Sequence, residues 1–137
     1  MPDPNLGQGS TLPGVPPVRP VAIILSENRH ARVLAALSLA CALAALGRTV
    51  IVFAHGASVT VLRQDACWPE DETLAARGCA TVPELLFSTQ ELGVTFMACE
   101  SGLHATCTPS SALHGFVTTG GLLGLFQVQP GAEIVPF

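Results

Sequence analysis

Two uninterrupted apolar runs, Val21-Ala-Ile-Ile-Leu25 and Thr49-Val-Ile-Val-Phe-Ala54, stand on either side of one Ala- and Leu-rich segment. Neither run alternates polar with apolar residues, so each is predicted as a strand buried on both faces, the pattern of a parallel sheet. The segment between them, Ala31 to Leu46, has helical length. Ser26-Glu-Asn28 is placed to cap its start and Gly47 to close its end. Strand, helix, strand in that order is a right-handed βαβ unit with a parallel strand pair.

The remaining sequence keeps the alternation going. Ala57 to Gln64 is predicted as a short helix. Asp65 to Cys79, with Trp68-Pro69, Glu70-Asp71-Glu72 and Gly78, reads as a loop or lid carrying one helical turn. Pro83 to Leu92 is a helix with Thr81 near its cap and Gly93 at its end, and Val94 to Ala98 is a third strand that runs into Cys99. Pro109 to Leu113 is a short helix with proline in its first turn. Phe116 to Thr119 is a fourth strand, Gly120 to Val128 a helix, and Glu133 to Phe137 a fifth strand. These elements predict a three-layer α/β/α sandwich around a largely parallel five-stranded sheet, one domain over residues 21–137. Residues 1–20 hold six prolines and are predicted to be a disordered or extended arm.

Composition limits what such a domain can do. Six Arg, no Lys and ten acidic residues leave a net charge of −4, with no basic run to neutralise phosphates, which excludes nucleic acid as a partner. Hydrophobic residues make up 49% and charged residues 12%, too little polar material to cover a monomer, so a homo-oligomer is expected. The longest uncharged apolar stretch, Val33 to Gly47 between Arg32 and Arg48, is about 22 Å long as a helix, short of the roughly 30 Å of a bilayer core. Met1 to Pro20 has no basic region followed by an apolar one, so no secretory signal is read there. A cytoplasmic protein is expected.

Cys41, Cys67, Cys79, Cys99 and Cys107 contain no C-x-x-C pair and no knuckle spacing, and their odd number argues against a disulfide scaffold. Cys99 is the candidate with chemistry. An apolar strand delivers it to the carboxyl edge of the sheet, where ligands collect in open α/β folds, and Glu100-Ser101-Gly102 follows. A helix starting there would favour the thiolate in a partly exposed, electropositive site. Cys107, beyond His104, has three readings: a resolving thiol, a metal ligand or a loop residue. His55 follows the second strand directly and should emerge on the same edge, where an imidazole can tune a thiol. Ser26, His55, Glu100, Ser101, Thr119 and Gly120, all at strand ends, form the candidate binding set. His30 and His114 are assigned to helix ends without a special role, and Cys41 to packing inside the Ala/Leu helix. Gly120-Gly121 with Gly124 does not form a phosphate loop, and Ser26 to His30 contains no glycine. No cofactor is expected.

Three stretches together resemble the DsrE/DsrF-like family of small sulfur-relay and related proteins. Leu37-Ser-Leu-Ala40 through Ala45-Leu-Gly47-Arg-Thr-Val-Ile-Val-Phe53 resembles its first helix and second strand. Pro83-Glu-Leu-Leu86 with Glu91-Leu-Gly93-Val94 through Met97-Ala-Cys99-Glu-Ser101 is similar to its most specific stretch, and Phe116-Val-Thr-Thr-Gly120 to its next strand and turn. The resemblance spans about Val21 to Phe137. It implies a homotrimer, a homohexamer or a hetero-oligomer of paralogues, with Cys99 at the position that carries sulfur as a persulfide in relay members. The Cys67 to Cys79 insertion and His104 to Cys107 depart from the family pattern.

Three functions follow as expectations. The first is a sulfur carrier or sulfurtransferase subunit working through Cys99, with a sulfur donor and acceptor protein as partners. The second is a non-catalytic module that binds a small ligand or another protein. The third is a metal or redox site built from Cys99, Cys107, His104 and His55, which lacks metal-ligand spacing.

Overall fold

The computed structural model describes residues 18–137, so most of the arm predicted for residues 1–20 lies outside the described residues. Five strands, β1 (Val21–Leu25), β2 (Val50–Ala54), β3 (Thr95–Cys99), β4 (Val117–Gly120) and β5 (Glu133–Pro136), form one sheet in the order β4-β3-β2-β1-β5. Every neighbouring pair is parallel. The helices are α1 (His30–Ala45), α2 (Asp71–Ala76), α3 (Val82–Glu91), α4 (Glu100–Ala105) and α5 (Leu122–Val128), with 3₁₀ segments at Gly56–Leu62 and Ser110–Ala112. This is the α/β/α sandwich with a parallel five-stranded sheet that the alternation predicts.

The core follows the apolar runs. All five residues of β2 are buried, which demands cover on both faces of the sheet. α1 supplies part of it through Val33, Ala36, Leu37 and Ala40, all buried and spaced to fall on one helical face. Alanine at two of these positions leaves room for the helix to lie close to β1 and β2. Complete burial of Val33 and Leu37 stabilises the packing by about 1.5–3 kcal/mol each. α3 packs beside α1 and buries Val82, Leu86 and Thr89. The Thr89 hydroxyl donates to the Leu85 carbonyl at 2.5 Å, so the buried polar group is satisfied inside its own helix. On the remaining ground, α4 and the first 3₁₀ segment pack against each other and against β3.

Local details depart from the sequence reading in three places. The N-cap of α1 is Arg29, without a side-chain cap bond. Asn28 is instead engaged with Thr60, its Nδ2 donating to Oγ1 at 3.4 Å. The predicted helices near residues 57–64 and 109–113 are 3₁₀. In the first of them the Ser58 and Thr60 hydroxyls bond carbonyls three residues back, at His55 and Ala57, which favours the tighter turn. Cys41 is half-buried, because it lies one residue beyond the buried stripe that ends at Ala40.

Candidate functional site

β3 ends on Cys99, which is also the N-cap of α4. Cys99 is 4% exposed, more enclosed than the partly exposed position expected from sequence, because α4 and the 3₁₀ segment close over the strand end. Its Sγ lies 3.0 Å from the Ser101 hydroxyl. Burial pushes the thiol pKa up, but the Ser101 hydroxyl and the backbone N–H groups of Gly102, Ser101 and Gly56 together outweigh it and hold Cys99 below the ordinary thiol value. Hydrogen bonds to the anion favour the anion. With six residues, α4 is too short for a full macrodipole, so these individual donors carry the effect.

The third N–H donor depends on two glycines from separate elements. Gly56 has φ +62°, a left-handed conformation that costs glycine nothing, and it turns the chain out of β2 so that its N–H faces Cys99. Gly102 faces it from α4: a Cβ there would lie 2.8 Å from the Gly56 carbonyl oxygen, 2.9 Å from Val59 Cγ1 and 3.0 Å from the Gly56 nitrogen. Two backbones therefore meet at van der Waals distance beside the thiol.

The other candidates are distributed around this edge. His55 is half-buried and stacks on Phe53, with ring centroids 6.3 Å apart. Its Nδ1 is buried with no hydrogen-bond partner among the described residues. The Ser58 hydroxyl, 2.6 Å from the Leu25 carbonyl and 2.9 Å from that of His55, ties the ends of β1 and β2 together. Ser26 is exposed, and its N–H donates to the Phe137 carbonyl at 2.8 Å, which places it beside β5, two strands from Cys99. Gly120 pairs with Cys99 in the β3–β4 register. Glu100, His104, Cys107, Ser110 and Thr119 line one open groove along α4. Cys107 is exposed and has φ +53°. A more enclosed apolar cavity of about 190 Å³, lined by Val61, Trp68, Phe87, His114 and Phe116 among others, contains none of the candidate residues.

No protein-family model matches the sequence, and no curated protein does. Solved structures do. The chain is similar to the YchN protein of E. coli, with a TM-score of 0.71 and 17% identity over 87% of this chain and 99% of that one. It is also similar to MTH1491 of Methanobacterium thermoautotrophicum, a protein of unknown function, with a TM-score of 0.64 and 22% identity over the same shares. Both are DsrE/DsrF-like fold proteins. This chain has the DsrE/DsrF-like fold.

Within that DsrE-like frame, two histidines assigned to helix ends turn out to be engaged. His30 Nε2 lies 2.9 Å from Asp71 Oδ1, with the two side chains 12% and 14% exposed. The same carboxylate accepts the Val82 N–H at 3.2 and 3.3 Å. One acidic residue of the predicted lid thus ties the starts of α1, α2 and α3 together. His114 stacks almost parallel on Phe116, with centroids 5.1 Å apart. Among the described residues no group of three or more His, Cys, Asp or Glu side chains is arranged to hold a metal, so the structure does not bring Cys99, Cys107, His104 and His55 together as a metal cluster. No helix among the described residues is long and apolar enough to cross a membrane.

Proposed function

We propose that the protein is a sulfur carrier in which Cys99 accepts and passes sulfane sulfur. The observation that supports this most is the ring of one hydroxyl and three N–H donors around a single sulfur at the carboxyl edge of a parallel sheet. In the forward step the Cys99 thiolate attacks the outer sulfur of a donor persulfide. A new S–S bond forms, the donor's S–S bond breaks, and the donor leaves as a thiolate. Cys99 then holds the sulfur as a persulfide, whose negative charge the same donors stabilise. Attack by an acceptor thiolate on that outer sulfur returns Cys99 to its starting state, and no net redox change occurs. The donor and the acceptor are proteins or small thiols that present their sulfur on a projecting group, as the 4% exposure of Cys99 requires.

The depth of Cys99 favours one alternative, a non-catalytic binding or interaction module in which this cysteine is a small buried apolar residue. Intact-mass measurement after incubation with a persulfide donor separates the two. The carrier gains 32 Da, about one sulfur atom, the gain maps to the Cys99 peptide, and Cys99→Ser abolishes it. Sulfur found only on exposed Cys67 or Cys79, with Cys99 unmodified in the folded protein, establishes the alternative. If Cys107 resolves the persulfide, Cys107→Ser slows release without preventing loading.

A further inference from the structure

Aromatic residues are scarce in this chain, six Phe and one Trp with no Tyr, and three of them line one cavity. Trp68, Phe87 and Phe116 face the enclosed space of about 190 Å³, together with the ring of His114. Its walls are held from behind. His114 and Phe116 lie face to face, with 9° between their planes and 5.1 Å between their centroids. Phe96, fully buried in β3, braces Phe116 edge-on at 5.5 Å. Trp68 rests against His30 at 5.9 Å, and Asp71 fixes that histidine through its 2.9 Å bond.

We propose that this cavity binds a small, neutral, planar aromatic molecule, one ring or two fused rings in size, that carries a hydrogen-bond donor. Size sets the upper limit. An apolar cavity of about 150 Å³ takes up benzene, so a space of about 190 Å³ accepts a ring with a substituent and little more. Aromatic walls select a flat ligand, because offset and edge-on ring contacts add attraction beyond the area they cover. Charge selects a neutral one. Among the described residues, Arg63 is the only Arg, Lys, Asp or Glu that lines the cavity, and Asp65 already holds its Nε and Nη2 at 2.7 and 3.0 Å. An anion entering would lose its water without gaining a free cation. The donor follows from Gln64, also in the lining. Its Nε2 donates to the Leu113 carbonyl at 2.8 Å, which fixes the amide and leaves Oε1 as an acceptor. A preformed, concave and mostly apolar space with one such polar group is the form of a small-molecule site. Cys99 is not part of it, so the proposal is independent of sulfur transfer.

Trp68 is the chain's one tryptophan, so its emission reports occupancy of this cavity directly. The full chain is titrated with phenol, excited at the red edge of tryptophan absorption where phenol is transparent. A saturable change with a Kd of about 1 mM or tighter is expected, within what a ligand of this size can supply. Benzoate is expected to bind at least about tenfold more weakly than phenol. Phe87 is 59% exposed, so Phe87→Ala removes a wall at little risk to folding and should weaken phenol about fivefold or more. Gln64→Leu should weaken phenol about fivefold and leave toluene, which has no donor, unchanged. The proposal is overturned by the absence of a saturable change, by benzoate binding as tightly as phenol, or by either variant binding phenol like the parent. Phenol affinity that rises on dilution also overturns it, because a second copy of the chain then fills the cavity. If Phe87→Ala does not fold, amide exchange of the parent decides: slower exchange at residues 61–68 and 114–116 with phenol supports the site, and unchanged exchange overturns it.

Discussion

Replacing Gly102 with alanine exchanges a hydrogen for a methyl group at the place where α4 meets the Gly56 turn. The new Cβ would sit 2.8 Å from the Gly56 oxygen and 3.0 Å from its nitrogen. Both are backbone atoms, so no side-chain rotation relieves the contact, and α4 must withdraw by about half an ångström to restore ordinary separation. Overpacking of this kind costs about 1–3 kcal/mol. Alanine returns up to about 1 kcal/mol as the better helix former. The expected result is a net loss of about 1–2 kcal/mol in urea unfolding, or a melting temperature lower by roughly 3–8 °C. The withdrawal also takes the Gly56 N–H away from Cys99, so the thiol pKa should rise, read as a shift to higher pH in the iodoacetamide rate profile. A Gly102→Ala protein as stable as the parent, or one with an unshifted alkylation profile, refutes the role assigned to this contact.

Three further outcomes are expected. The folded state holds Cys99 below the ordinary thiol value of 9.0, so it binds fewer protons than the unfolded chain between the folded-state pKa and 9.0. Stability therefore rises with pH across that window, and the gain is lost as pH falls through the folded-state pKa. Denaturant midpoints measured from pH 6 to 9 should show this rise in the parent and not in Cys99→Ala. Cys107 ends α4 with φ +53°, a conformation that costs a residue with a Cβ about 1–2 kcal/mol, so Cys107→Gly should stabilise the fold by up to about 1 kcal/mol. Cys107→Ser should not, and a destabilised glycine variant would contradict the assignment of strain. Asp71→Asn removes the charge from a largely buried carboxylate that holds His30 and the Val82 N–H. It is expected to cost about 1–3 kcal/mol, measured by thermal denaturation at pH 6, where an unchanged midpoint would show that this tie is idle.

Features carried by one continuous stretch of chain were legible in the sequence. The apolar runs at 21–25 and 49–54 became buried parallel strands, and Thr81 caps α3 by accepting the Glu84 N–H. Cys99 falls at the strand end where the change from apolar to polar residues places it. What sequence did not disclose depends on distant residues meeting. His30 and Asp71 are 41 positions apart, and nothing in either local pattern marks them as partners. Gly56 and Gly102 each look like ordinary punctuation until the fold sets one backbone against the other. The depth of Cys99 was missed for the same reason, since its cover comes from the 3₁₀ segment as well as from its own helix. Cys107 carried a faint local signal: α4, unlike α1 and α3, has no glycine just after its end, so another residue must take the left-handed position.

The position of β5 has a consequence for how the protein is made. β1 pairs with β2 on one edge and with β5 on the other, yet β2 follows it within about thirty residues and β5 only after about a hundred. At a synthesis rate of roughly 5–20 residues per second, the second edge of β1 waits on the order of ten seconds for its partner. During that interval Val21-Ala-Ile-Ile-Leu25 presents free N–H and C=O groups on an apolar strand, the arrangement most prone to pairing with another chain. The nascent domain is thus vulnerable at its first strand until the last is made, and slowing translation between β4 and β5 should lower the yield of soluble protein.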